Sequence, residues 1–533
     1  MSQPATTPPN GAHLLLATLQ ARGTRHLFGV PGHGAYPIYD ALCDFPAIEP
    51  VVGRHEQSSL FSALAFSWAS GTTVVATSVP EAGLTNAATG LLEANNTQAR
   101  LFFVIEANPL HAGVAHSVAR HYRRVDTSDA LVPAIHALLD QLEFSRPGAA
   151  ILEVASNVLT DPVTGAPSAP YQRPTPPPIA DSEIAAAART LAGAQRCVIL
   201  AGATAVAADA GASVQRLAEA LHAPVFVDGI AKGILPEDHP LALGRNWSPS
   251  GPGDQLLREA DVALVIGAPL GGGQVTAPWD PQMARSPRQA ILVDWDDSEQ
   301  APLASDLRLR GHVPSILAAL ADAVGESTQA TGFPAARLDE VRRWAWDYAE
   351  TRVPWALGFF QGICAAMPRD GIILLDSMVG LWLDRLYAAP DPAAIRMPFG
   401  TGTLGFGVPA AVGAKMAQPG REVVVVAGDG AFLYNPQELA TMLLRGQKLT
   451  IIIANDGIYG AIKHNMAERF GRATAYTLAN PDFVRLGEAF GMRALRLASS
   501  DEIGPALAAA LAGDQSTLIE VPLELRPPRD FYA

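Results

Sequence analysis

Two apolar runs, EVVVVAGDG and LTIIIAND, constrain the fold of this chain more than any other feature. Each is a near-continuous Val/Ile stretch, the pattern of a strand buried on both faces of a parallel sheet. Each stops at a turn bearing a carboxylate: Asp429 within Gly428-Asp429-Gly430, and Asp456 after Asn455. The segment between them, AFLYNPQELATMLLRGQK, has helical character, so the pair reads as a βαβ unit with oxygen ligands at the carboxyl ends of two parallel strands. Ligands of open α/β sheets bind at that edge. Aspartate oxygens are hard donors suited to a Mg²⁺ that takes its other ligands from phosphate. Gly430 and the small Ala431 let backbone N–H groups approach such a phosphate at a helix start. Taken alone, the same residues also describe an ordinary βαβ unit with acidic turns.

The same alternation runs through all 533 residues. Strand candidates in the first third are HLFGV, IEPVVG, TTVVATS, ARLFFVIEA and GAAILEVA. The middle offers RCVILAG, APVFVDG, VALVIGAP and AILVDWD; the last third offers GIILLD, EVVVVAG, LTIIIAN and STLIEV. Ala/Leu-rich helical patterns separate them, which predicts α/β domains with parallel sheets. A Pro-rich stretch over 168–183 and a polar one over 325–340 break the chain; proline-rich stretches act as stiff spacers. The expected organisation is three doubly wound α/β domains, over 1–167, 180–328 and 345–533.

Composition narrows the function classes. The net charge is −14 and no basic tract occurs, so nucleic acid and anionic membranes are poor partners. Cys43, Cys197 and Cys364 are too few and too scattered for a disulfide framework or a zinc site. The N-terminal MSQPATTPPNGAH lacks the features of a signal peptide, and no run of about 18 apolar residues could span a membrane. The expectation is a cytoplasmic protein.

A second motif lies near the N-terminus, in FGVPGHGAYPIYDAL followed by VVGRHEQSSLFSALAFSWASG. With the GDG…ND pair, it resembles the thiamine-diphosphate enzymes of the 2-oxo acid decarboxylase and acetolactate synthase superfamily. The resemblance covers almost the whole chain and implies pyrimidine-binding, central and diphosphate-binding domains in that order. It implies Mg²⁺ held by Asp429, Asp456 and the backbone carbonyl of Ile458, with Asp456 standing where the family has asparagine. It gives Glu56, after the Gly29-Val30-Pro31-Gly32 turn, the role of pairing with the cofactor's pyrimidine nitrogen, so that the cofactor's amino group can act as a base. A glutamate opening a helix is also favoured by the helix dipole without any such role. In PFGTGTLGFGVPAAVGAKMA, Leu404 matches the apolar wedge that bends the cofactor, and Gly402 the carbonyl that holds its amino group. Tyr459 and Gly460 follow the metal turn and are candidates for contact with the diphosphate; packing explains Tyr459 as well.

The resemblance leaves the reaction open. The loop SVPEAGLTNAATG and the segment ADVALVIGAPLGGGQ look most like benzoylformate decarboxylase, whereas NPQELATMLLRGQ looks more like acetolactate synthase. The pocket serine and two histidines of the former become His33, Val79 and Gln274. His33, beside the Gly-Pro-Gly-type turn, is the leading polar catalytic candidate, since histidine exchanges protons near neutral pH; a loop histidine bonded to backbone is the plainer alternative. Gln274 could orient a substrate carboxylate. His111, His116 and His121 form a cluster that a surface helix explains equally well. The expected activity is decarboxylation of a 2-oxo acid, with carboligation to acyloins as a second outcome. An acetolactate-synthase-like transferase and a non-catalytic cofactor-binding paralogue are the alternatives. A CoA-dependent lyase and a nicotinamide dehydrogenase rank lower, the latter because no complete G-x-G-x-x-G follows an early strand. The resemblance also implies a homodimer or homotetramer, in which Glu56 of one chain faces Asp429 and Asp456 of another.

Overall fold

Eighteen strands form three six-stranded sheets in the computed structural model, which describes residues 9–108, 112–163, 171–176, 178–248, 251–268, 289–296, 307–325 and 329–528. Gln274 and His111 lie outside the described residues. The first sheet contains β1 (His26–Gly29), β2 (Glu49–Val52), β3 (Val74–Thr77), β4 (Leu101–Glu106), β5 (His121–Val125) and β6 (Ala149–Val154), in the order β2-β1-β3-β4-β6-β5. The second contains β7 (Cys197–Ala201), β8 (Val225–Val227), β9 (Ala242–Gly244), β10 (Val262–Ile266), β11 (Gln289–Asp294) and β12 (Leu307–Arg310), in the order β12-β11-β10-β7-β8-β9. The third contains β13 (Ile372–Asp376), β14 (Ile395–Arg396), β15 (Val423–Gly428), β16 (Thr450–Asn455), β17 (Arg493–Arg496) and β18 (Thr517–Pro522), in the order β14-β13-β15-β16-β18-β17. Every strand pairing among them is parallel. The architecture is the expected one: three α/β domains with parallel sheets flanked by helices.

The central strands form where the sequence is most apolar. In β15, Val423 through Val426 are fully buried, and burying each valine contributes roughly 1.5–3 kcal/mol. In each sheet the chain reverses its winding direction beside the first strand: between β1 and β3, between β7 and β10, and between β13 and β15. Crossovers leave opposite faces at these switch points, which opens a crevice at the carboxyl edge.

All thirteen strands read from apolar runs are present. Five others, β5, β9, β12, β14 and β17, were not legible, and each lies at a sheet edge. Their sequences explain why. HYRRV, LRLR and RALR carry arginines that half-exposed positions tolerate, so a search for continuous apolar runs passes over them. One consequence corrects the histidine reading. His121 opens β5 and is not on a helix; its Nε2 lies 2.9 Å from the Arg146 carbonyl. His116 does lie in the short helix Ala112–Val118, with its ring 5.5 Å from that of Tyr122.

The chain divides into two compact units, residues 1–175 and 176–533. The second unit contains both the second and third sheets. Its helix Ala335–Arg352 runs without a break through residue 345 and packs on elements belonging to both of those sheets. Among the described residues, no helix is long and apolar enough to cross a membrane.

Candidate active site

In the second unit, the turns after β13, β15 and β16 meet at the switch point of the third sheet. The register pairs Gly428 with Ala454, so the turns bearing Asp429 and Asp456 leave adjacent strands side by side. Asp429 is only 3% exposed. One of its oxygens accepts from the Gly457 N–H (3.0 Å) and from Asn480 Nδ2 (2.6 Å). Asn480 Nδ2 also donates to Asn455 Oδ1 at 3.0 Å, and Asn455 in turn donates to Glu520 at 2.8 Å. Asp456 caps its own turn by accepting from the Ile458 N–H at 3.1 Å. Burial pushes its carboxyl up to about 6, and the neighbouring Asp429 charge adds to the effect.

Glycine at 430 is a packing requirement, because a Cβ there would lie 2.6 Å from the Tyr459 ring. Tyr459 therefore packs against the GDG turn. Gly402 has another reason: nothing crowds it, but its φ of +65° suits glycine. Leu404 follows in the same loop, which is anchored by Asn435 Nδ2 donating to the Gly405 carbonyl at 2.8 Å.

These turns enclose a cavity of about 320 Å³, within the size range of small-ligand sites. Gly402, Leu404, Gly428, Asp429, Gly430, Ala431, Asp456, Ile458, Tyr459 and Gly460 all line it. They are the ten positions that the sequence singled out in this domain. The carboxylates and glycine turns form one part of the lining, and Met378, Val379, Leu381, Met397, Leu523 and Leu525 provide apolar wall.

In the first unit, Glu56 opens the helix Glu56–Ser70, capped by His55, whose ring accepts from the Gln57 N–H at 3.2 Å. The Glu56 carboxylate is half-buried and accepts from Asn86 Nδ2 at 3.0 Å. The Gly29-Val30-Pro31-Gly32 turn leaves β1 and packs on the loop after β3: a Cβ at Gly32 would lie 2.4 Å from Val79 Cγ1. Sequence reasoning grouped His33 with Val79, and the fold puts their loops in contact. The His33 side chain is exposed, its ring 6.3 Å from that of Tyr36. In the β3 loop, Glu81 takes a strained φ of +65° and accepts from Asn108 at 3.0 Å. A Cβ at Gly34 would lie 2.4 Å from a Glu106 carboxylate oxygen, so that carboxylate borders the glycine turn.

Comparison with known proteins accords with this geometry. Residues 9–122 match the N-terminal TPP binding domain of thiamine pyrophosphate enzymes, 184–320 their central domain, and 377–521 their C-terminal TPP binding domain. A probable 2-ketoarginine decarboxylase of Pseudomonas aeruginosa is 30% identical, over 97% of this chain and 95% of its own. The chain belongs to the thiamine pyrophosphate enzyme family. Other relatives are a probable acetolactate synthase large subunit of Methanocaldococcus jannaschii (26% identical, 96% of this chain and 92% of the relative) and an acetolactate synthase of Bacillus subtilis (27%, 96% and 93%). The family thus spans decarboxylases and acetolactate synthases at similar distance from this chain.

A thiamine pyrophosphate enzyme must accommodate an anionic diphosphate, and the residues present would fit it together with a cation. Among the described residues, no group of three or more His, Cys, Asp or Glu could hold a metal. The protein instead offers two adjacent carboxylates and free space, the arrangement of a Mg²⁺ site completed by phosphate oxygens. Burial and the neighbouring Asp429 charge raise the proton affinity of Asp456, and a divalent cation bound between the two carboxylates would relieve that repulsion.

Sequence reasoning missed several residues here. Asn480 and Asn86 contact Asp429 and Glu56 across 51 and 30 residues of chain, where no local pattern could reveal them. Ser377, Ala461 and Ile462 also line the cavity. Ser377 was within reach, because it directly follows the GIILLD run at the same sheet edge as Asp429.

Proposed function

We propose that the protein binds thiamine diphosphate with Mg²⁺ in the third-sheet cavity and decarboxylates a 2-oxo acid, with carboligation to an acyloin as a second outcome. The convergence of ten sequence-named residues on one cavity carries this reading. When bound, the cofactor supplies a nucleophilic carbon that adds to the substrate carbonyl and stores the electron pair left by CO₂. The chain supplies the rest. Asp429 and Asp456, with the Ile458 carbonyl, hold the cation, and the N–H groups of Gly430 and Ala431 approach the phosphates. The apolar wall would exclude water, and Leu404 would stand against the cofactor as an apolar wedge. Gly402 offers its carbonyl to the cofactor amino group. Glu56, oriented by Asn86, shares a proton with the pyrimidine ring. His33, on the turn that abuts Val79, handles the substrate proton. Active assembly takes at least two chains.

Two observations shape the choice of substrate. The Pseudomonas relative is named for a 2-ketoarginine substrate, and Glu106 places a carboxylate against the glycine turn. A cationic 2-oxo acid therefore belongs in the test panel beside pyruvate and benzoylformate. The competing reading, an acetolactate-synthase-like transferase, is favoured by the Methanocaldococcus and Bacillus relatives. The purified protein with thiamine diphosphate and Mg²⁺ is incubated with each acid, with and without acceptor aldehydes, and the products are identified. Release of CO₂ and aldehyde supports the proposal. Acetolactate from pyruvate with no free aldehyde replaces it with the transferase reading.

A further inference from the structure

The junction between β13 and the helix Ser377–Leu386 touches both loops that the proposed cofactor site depends on. Asp376 is 1% exposed. One of its carboxylate oxygens accepts from the Gly407 N–H at 3.0 Å, and the neighbouring amides of Gly405 and Phe406 also act on it. Its other oxygen is buried with no partner among the described residues. Burial outweighs those amides and pushes the carboxyl up to about 7. The next residue, Ser377, has a φ of +62°, a left-handed conformation that serine seldom adopts. Its Oγ accepts from the Gly428 N–H at 3.2 Å. A Cβ at Gly428 would lie 2.6 Å from that oxygen, so the contact is close as well as bonded.

Two adjacent residues thus grip two loops. Asp376 holds the end of the loop that carries Gly402 and Leu404, and Ser377 holds the first residue of the Gly428-Asp429-Gly430 turn. We propose that Asp376 and Ser377 are positioning residues that fix the separation between the Leu404 loop and the diphosphate turn, and so the shape in which the cofactor is held. The inference rests on the reading of this cavity as the thiamine diphosphate site.

Energetics separate this role from a structural one. A fully buried carboxylate with an unpartnered oxygen costs stability, and so does a left-handed serine. Glycine would hold the left-handed conformation at position 377 without that cost. What the costly pair provides is a fixed link between two loops that are not otherwise adjacent in sequence.

The test uses the full-length protein with Mg²⁺ and the variants Asp376→Asn, Ser377→Gly and Leu404→Ala, alone and paired. Three quantities are measured: thiamine diphosphate affinity by calorimetry, the near-ultraviolet circular dichroism of the bound cofactor, and the melting temperature of the cofactor-free protein. Asp376→Asn and Ser377→Gly are each expected to weaken binding about tenfold, the effect of one lost hydrogen bond to a charged or close-packed partner. The cofactor's dichroic signal should change with them, while the melting temperature holds or rises. Asp376→Asn combined with Leu404→Ala should be non-additive in affinity, as contacts acting through one loop are. Affinities within about twofold of wild type would overturn the inference, as would additive effects or a fall in melting temperature parallel to the loss of affinity. Should Asp376→Asn not fold, Ser377→Gly carries the same comparison. If wild-type protein takes up no thiamine diphosphate, or Leu404→Ala changes neither affinity nor dichroism, the site reading itself falls. If wild type binds and Leu404→Ala responds while the junction variants do not, only the junction's role falls.

Discussion

The carboxyl edges of the first and third sheets are built alike and behave differently. In the third sheet, glycine-rich turns after three strands close on one cavity, and two carboxylates there are buried or half-buried. In the first sheet, the ends of four strands and the loops after them carry His33, Glu56, Glu81 and Glu106, all exposed or half-exposed. The first arrangement anchors a fixed group, because glycines crowded by neighbours leave little freedom to rearrange. The second presents side chains whose positions can vary without disturbing a core. On the proposed function, the former place would hold the anchor common to the family, and the latter would choose the reaction.

The sharpest way to break this comparison is at the anchor. Asp429→Ala should reduce Mg²⁺-dependent thiamine diphosphate binding on the order of 10³-fold, the scale of several kcal/mol lost with a charged ligand; calorimetric titration with both components reads it. Glu56→Gln tests the other edge. It should lower turnover about 10²–10⁴-fold, the usual weight of a positioned acid–base group, while moving cofactor affinity far less. Unchanged turnover would remove the proposed role of Glu56. His33→Ala should reduce kcat/KM about 10²-fold, the lower end for a positioned acid–base group, without altering thiamine diphosphate affinity; a fall in affinity instead would place His33 with the anchor and blur the contrast between the edges. Asn480→Ala should weaken Mg²⁺ binding about tenfold, the lower end for a partner that orients a metal ligand, and an unaltered affinity would make its bond to Asp429 incidental.

The smallest effect concerns stability and pH. Asp376 binds a proton up to about pH 7 when folded, against 3.8 for the ordinary carboxyl. Between these values the folded state holds more protons than the unfolded state, so this group's contribution is present below about pH 4 and is lost as pH rises to about 7. Asp376→Asn does not titrate. Its melting temperature relative to wild type should therefore rise by about 2 °C or more across that window and stay level above it. Thermal unfolding of the cofactor-free pair at several pH values measures this, and a flat difference would contradict it.

What was legible in the sequence follows from the same physics. Interior strands were visible because two-sided burial demands unbroken Val, Ile and Leu, as in β15 and β16. Edge strands such as β12 and β17 were not, because one-sided burial permits LRLR and RALR. At the site, residues tied to strand-end turns were found because the turn chemistry is local: a glycine, a carboxylate and a small residue in succession. Asn86 and Asn480 were not found, because their partners are distant in sequence and an isolated asparagine carries no pattern.

The sequence by itself determined that this chain builds parallel α/β domains with a pair of carboxylate-bearing turns at the ends of two adjacent strands, because strand burial and turn chemistry are written in neighbouring residues. Only the tertiary structure decided that Leu404, Gly402 and both aspartates share one cavity. It alone showed that Asn480 and Asn86 orient the key carboxylates, and that Asp376 and Ser377 clasp two separate loops. Those relations depend on which strand ends lie side by side, and sheet order is fixed by packing between distant segments.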